Sequence, residues 1–227
     1  MSINASIIKE ILMEKGIDCL YHVNTVETAI TFLSNGGLLS RGAVEDKDLI
    51  QTDQPSDAKD KEVGVFYDIF FDSVDIHERS KNINDYGPVT FVYSIDVLDY
   101  LNDKEIKITK DNPIRWNSGM SEGEKYFTDV DSIYLEYCKG TFKQHLTICD
   151  MHEPLPFLPY LFKIIIDNPG IANTKYFDEA YRALKDIMEN NGIKVPLEVR
   201  KCPSDCMCKI NYRRYKEGYI YYKFRTN

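Results

Sequence analysis

The chain has 227 residues, of which 43% are apolar and 28% charged, so it can bury a full core and a mainly disordered or fibrous polymer is excluded. That length favours a single domain spanning 1–227. A formal charge of −8 and an isoelectric point near 5.1 exclude a surface that coats nucleic acid broadly, while a small basic groove on an acidic body stays compatible with them.

In chain order, Ala5 to Lys15 reads as an amphipathic helix ending at Gly16. Lys9, Glu10 and Glu14 interrupt its apolar residues, so it is not a secretory signal. Cys19 to Val23 reads as a strand. Thr25 then caps a helix to Ser34, with Val26, Ala29, Ile30 and Leu33 at helical spacing. Asn35-Gly36-Gly37 ends that helix and Leu38-Leu39 re-enters the core. Glu45 to Glu62 is acidic and predicts a long exposed loop, and Val63 to Phe71 a strand. After polar Asp72 to Asp85, Val89 to Tyr93 is a buried strand rich in β-branched and aromatic residues. Ser94 caps a short helix or turn to Tyr100, and Ile106 to Thr109 alternates as a strand.

Trp116 to Thr128 reads as loop, and Asp129 or Asp131 caps a helix reaching Cys138. Gln144 to Cys149 reads as a strand, Glu153 to Pro159 as extended chain, and Leu161 to Ile166 as a strand. Phe177 to Asn191 is an amphipathic helix stopped by Gly192. Val195 to Arg200 and Tyr219 to Phe224 read as closing strands, the basic, tyrosine-rich stretch from Lys209 to Arg225 forming a hairpin. Connections of such unequal length argue for an α+β fold over a regular βαβ series. No apolar run reaches the ~20 residues of a membrane helix, which with the missing signal predicts a cytoplasmic protein with no membrane partner.

Among the six cysteines, Cys202, Cys206 and Cys208 form a C-x3-C-x-C cluster. A zinc site wants four ligands, and no fourth is apparent beside them. They therefore read as buried or loop thiols, and no metal is assigned. A second constellation, Asp68-x3-Asp72-x2-Asp75-x-His77, is compatible with a divalent metal and phosphodiester cleavage. No compact nuclease motif with a lysine accompanies it. A further reading makes Asp75, His77 and Arg79 the border of an acceptor site. Walker A, G-x-G-x-x-G, H-E-x-x-H and G-x-S-x-G patterns are missing.

The frame Leu20-Tyr21-His22-Val23-Asn24, helix, Gly37-Leu38-Leu39-Ser40 resembles the opening of the DarT-type ADP-ribosyltransferases, toxins that move ADP-ribose from NAD onto nucleic-acid bases. Pro88 to Tyr93, Pro154 to Ile166 and Gly192 to Val199 resemble later stretches of that family in the same order. The resemblance implies an ADP-ribosyltransferase-like α+β fold with split mixed and antiparallel sheets and peripheral helices. It implies NAD as substrate, a single-stranded DNA or RNA acceptor, a toxin or phage-defence setting and an antitoxin partner. His22 would bond the ribose or the nicotinamide amide, Asn24 would make a small polar contact, and Gly37 and Leu38 would line the pocket through backbone. Tyr67 or Phe70 would stack on the nicotinamide cation. Arg41 or Arg79 would hold a phosphate or the acceptor.

The family's glutamate, which stabilises the oxocarbenium-like ribose, falls at the start of the Gln144 to Cys149 strand. This chain has Gln144 and His145 there, with no acid. The candidates for its work are Glu153 from the following loop, Glu136, or a divergent use of Gln144 and His145. Two other functions compete: a non-catalytic nucleotide-sensing domain on the same fold, and the metal-dependent nuclease.

Overall fold

The computed structural model describes residues 3–101, 103–170 and 174–226. Its strands are β1 (Cys19–Asn24), β2 (Gly37–Leu38), β3 (Ile69–Phe71), β4 (Val89–Ser94), β5 (Ile106–Ile108), β6 (Leu146–Ile148), β7 (Leu155–Pro156), β8 (Leu161–Ile166) and β9 (Leu197–Val199). The helices are α1 (Ala5–Glu14), α2 (Val26–Ser34), α3 (Arg41–Asp46), α4 (Asp57–Val63), α5 (Ile76–Arg79), α6 (Val97–Tyr100), α7 (Glu122–Lys125), α8 (Val130–Glu136), α9 (Thr174–Asn190), α10 (Cys208–Arg214) and α11 (Glu217–Phe224).

Two sheets and a short ribbon make up the β structure. The main sheet runs β1-β4-β8-β9, antiparallel except for the parallel β8–β9 pair. The second runs β3-β6-β5, all antiparallel, and β2 pairs only with β7. The central strand β4 is apolar through Val89, Phe91, Val92 and Tyr93, because both of its faces are covered. Phe91 stacks on Phe157 at 5.6 Å, and both are fully buried, each contributing roughly 1.5–3 kcal/mol by burial. One bridge joins the sheets: Tyr21 and Asp72 exchange backbone N–H···O bonds of 2.9 Å each way. That seam sets the middle of β1 against the end of β3, and the candidate site lies there.

The helices follow from caps and apolar faces. Thr25 caps α2 by accepting from the Thr28 N–H, and α2 buries Val26, Ala29, Phe32 and Leu33. α9 packs on α2 through Ala180, Leu184 and Met188. Asp129, one of the two expected caps, caps α8, which ends at Glu136, short of the expected Cys138.

Several expectations are corrected. The acidic stretch from Glu45 to Glu62 is not one loop. It holds the end of α3 and most of α4, which closes at Gly64 in the left-handed region (φ 82°), with the Gly64 and Val65 N–H groups both donating to the Asp60 carbonyl. Val63 therefore ends a helix, and the expected strand shrinks to Ile69–Phe71. Within Trp116 to Thr128, a Ser121–Glu124 capping box builds α7. The C-terminal hairpin is two helices, α10 and α11. Ile220 and Phe224, four residues apart, are buried while Tyr221 between them is exposed, which is helical and not strand periodicity. Among the described residues, no helix is long and apolar enough to cross a membrane.

Candidate functional site

β1 delivers His22 into the seam. Its ring sits 5.9 Å from that of Phe32 and 5.8 Å from that of Phe71. The Nδ1–H donates to the Phe70 carbonyl at 2.9 Å, since a carbonyl can only accept. Burial lowers the pKa, so the ring stays neutral and Nε2 carries a lone pair. That Nε2 is buried and has no hydrogen-bond partner among the described residues. Two residues on, Asn24 is buried and its Oδ1 accepts from the Thr25 N–H (3.0 Å) and the Gln54 side chain (3.2 Å). Gly87 leaves room for this: a Cβ there would stand 2.2 Å from the Asn24 carbonyl.

Across the seam stands an acidic cluster. Asp72 accepts from Arg79 Nη1 at 3.0 Å and lies 3.4 Å from His145 Nδ1. Burial raises the Asp72 pKa, but His145 and Arg79 more than offset this and leave it lowered, so the carboxylate is held ionised. His145 is oriented from its other side, where the Asn112 amide donates to Nε2 at 3.3 Å. Phe70, half-buried on β3, meets His145 edge to face at 6.3 Å. Asp68 accepts the Asp150 N–H at 3.0 Å, yet burial pushes its carboxyl up to about 7. Asp60 is likewise pushed up by burial, to about 6.

His22, Asn24, Asp68, Phe70, Asp72 and His145 line one cleft of about 930 Å³, its open mouth included. Of the site residues that the family resemblance implies, it brings together His22, Asn24, Arg41, Phe70 and His145. Arg41 does not point there freely. Asp57 grips it bidentately and the Thr52 carbonyl takes Nη1 at 3.0 Å, leaving part of its guanidinium fork unspent. Arg79 is committed to Asp72, the Thr141 carbonyl and the face of Phe142.

The other candidates lie elsewhere. Leu38 is fully buried in the β2–β7 ribbon, and Gly37 abuts Leu155 so closely that a Cβ would stand 2.3 Å from its carbonyl oxygen. Leu39 and Ser40 line the cleft in their place. Tyr67 turns its phenol outward to Asp46 and lays its ring 4.5 Å from that of His152. Glu153 is 82% exposed opposite Lys47 and does not reach the cleft. Gln144 is half-buried and holds the Cys138 N–H and the Glu136 carbonyl, while Glu136 ends α8 at the surface.

The acidic constellation is split. Asp68 and Asp72 line the cleft, whereas Asp75 and His77 are buried in a separate network with Arg200 and Asp167. Sequence reasoning did not assign Asp60, Gln54 or Asn112 to the cleft, for Asp60 sits on α4, where the sequence predicts a loop, and the other two come from connecting segments that only the tertiary fold brings there.

Split sheets, the β1–β3 seam and peripheral helices make this an α+β fold with mixed and antiparallel sheets, the class that the sequence resemblance implies. More particularly it is DarT-like. The chain is similar to the structure of Thermus sp. 2.9 DarT in complex with ADP-ribosylated ssDNA, with a TM-score of 0.52 and 8% identity over 82% of this chain and 95% of the other. The structure of the same protein in complex with NAD+ aligns at a TM-score of 0.48 and 11% identity, over 82% of this chain and 96% of that one. No protein-family model matches the sequence, and no curated protein matches it.

Proposed function

We propose that this chain, acting as one domain over 1–227, is an NAD-dependent ADP-ribosyltransferase that modifies a base of single-stranded DNA. The observation that carries the reading is the cleft itself, where a neutral His22, whose Nε2 has no partner among the described residues, shares the lining with Asp72 and His145, and Arg79 holds Asp72, on a DarT-like fold. The fold's likeness to a DarT bound to ADP-ribosylated single-stranded DNA supports the choice of acceptor.

The residues fit NAD. His22 Nε2 accepts from a ribose hydroxyl or from the nicotinamide amide, and Phe70 offers a half-buried face to the cationic ring. Asn24 and the unspent N–H groups of Arg41 serve the polar remainder. In the reaction, the bond between the nicotinamide nitrogen and ribose C1′ breaks and its electron pair leaves with nicotinamide. Asp72, held ionised, stabilises the positive charge that develops on the ribose, the work for which no acid stands at Gln144 and His145. His145 acts through Asp72 as a positioning residue. The acceptor's nucleophilic atom closes on C1′, and its proton passes to Asp68, whose pKa of about 7 suits a base at neutral pH. Glu153, at the surface, has no part in this scheme. The same reading makes the protein a cytoplasmic toxin or phage-defence effector held in check by an antitoxin protein.

The missing glutamate favours one competing reading, a domain that binds NAD without turning it over. The test is incubation with NAD labelled in its adenylate half together with single-stranded DNA, RNA and protein. Label is expected on single-stranded DNA, with Asp72→Asn lowering the rate on the order of 10²–10³-fold while NAD binding persists. NAD binding with neither transfer nor nicotinamide release would favour the sensing domain and overturn the enzyme.

A further inference from the structure

Outside the cleft's lining, the three clustered cysteines find the partner that their sequence neighbourhood lacks. His77, 125 residues before Cys202, turns its Nδ1 toward them. It lies 3.7 Å from Cys202 Sγ and 3.7 Å from Cys206 Sγ, and Cys202 Sγ lies 3.1 Å from Cys208 Sγ. All four donor atoms fall within 4.8 Å of one another. Among the described residues this is the one group of three or more His, Cys, Asp or Glu side chains that converges so.

We propose that His77, Cys202, Cys206 and Cys208 bind one zinc ion as a closed Cys3His structural site. Zinc–sulfur bonds of about 2.3 Å and a zinc–nitrogen bond of about 2.0 Å set tetrahedral donors roughly 3.5–3.8 Å apart, and the His77 contacts have that spacing. Three soft thiolates with one imidazole select zinc over magnesium or calcium. Four protein donors leave no open position, which marks a structural and not a hydrolytic ion. On binding, the three thiols give up their protons to solvent.

The surroundings are built for a ligating histidine. A metal-bound imidazole donates its other N–H to a carboxylate that fixes ring and tautomer. His77 Nε2 meets Asp167 Oδ2 at 3.0 Å. Asp167 in turn accepts from Tyr212 at 2.7 Å and is paired with Arg200, whose Nη2 donates to Thr90 at 2.8 Å. His77, Asp167, Arg200, Cys208 and Tyr212 are all buried. A disulfide explains less, since a Cys202–Cys208 bond would leave Cys206 and His77 Nδ1 without a purpose. The ion would pin α10 and the loop before it to α5. Arg79, two residues past His77, holds Asp72, so the site would brace one wall of the cleft.

The test measures metal on the full-length protein, so it does not depend on transferase activity. Protein purified under reducing conditions without chelator is assayed by elemental mass spectrometry, then stripped and titrated with Zn(II) and Co(II). The expected result is about one zinc per chain and a Co(II) adduct with the charge-transfer and d–d bands of a tetrahedral thiolate site. Cys206→Ser and His77→Gln should each lose or weaken the metal and alter the cobalt spectrum. No stoichiometric zinc and no thiolate–cobalt band in the reduced wild-type protein would overturn the proposal, whether or not either variant folds. So would variants whose metal content and cobalt spectrum match wild type, or a Cys202–Cys208 disulfide that persists under reductant.

Discussion

His22 does two jobs with one ring: Nδ1–H is spent on the Phe70 carbonyl, and Nε2 is left as a buried acceptor with no partner among the described residues. A buried acceptor of this kind costs about 1–3 kcal/mol unless something fills it. His22→Ala should therefore abolish NAD binding measured by calorimetry, and unchanged affinity would remove His22 from the pocket. Asp68 makes a prediction of a different kind. Its folded pKa of about 7 lies above its ordinary 3.8, so between those values the folded state holds a proton that the unfolded state has lost. Stability should fall as pH rises from about 4 to about 7, with Asp60 adding to the same slope. Asp72, with its lowered pKa, works the other way and in a lower window, losing its contribution as acid protonates it. Denaturation midpoints across that range should flatten in Asp68→Asn, and an unaltered pH slope would contradict the placement of that carboxyl. His22, Asn24 and Arg41 belong to a strand, a capped helix and a glycine turn that the sequence frames locally and the fold brings to the cleft, whereas Phe70, on β3, is reached only through the family resemblance. Asp72 is not, because only the Tyr21–Asp72 bridge between two sheets brings it to the cleft.

At the scale of elements, apolar periodicity recovers β1, α2, β4, β8 and α9. It misreads the C-terminus, where Tyr-Ile-Tyr-Tyr has the composition of a strand. The deciding signal is the spacing of Ile220, Lys223 and Phe224, which share one helical face over α2 and α9. Lys223 lies in that face because its ammonium reaches the Asp85 carbonyl. Chemical denaturation should show Ile220→Ala costing about 2–5 kcal/mol. Tyr221→Ala, at an exposed position, should cost under about 0.5 kcal/mol. Equal costs would argue against the helix. The basic residues of this segment, Arg213 and Arg214 among them, are exposed on α10, so helices carry the charge that the sequence suggests for a hairpin.

The molecule as a whole is acidic, with a formal charge of −8, and this limits how it meets an anionic acceptor. Few phosphates can be neutralised at once. The affinity for single-stranded DNA should therefore depend weakly on salt, with a log–log slope no steeper than about −3, equivalent to about four phosphates. A much steeper slope would mean a broad nucleic-acid face that the charge balance does not provide. Whole-molecule form was legible in sequence only as far as its class, because the order of strands and the meeting of His77 with three distant cysteines are properties of the fold. The most direct measurement of the cleft's chemistry is the intact mass of a single-stranded oligonucleotide after incubation with the full-length protein and NAD. The expected result is a gain of one ADP-ribose that needs NAD and disappears with Asp72→Asn. An unmodified oligonucleotide in the presence of bound NAD, or equal modification by Asp72→Asn, would contradict it.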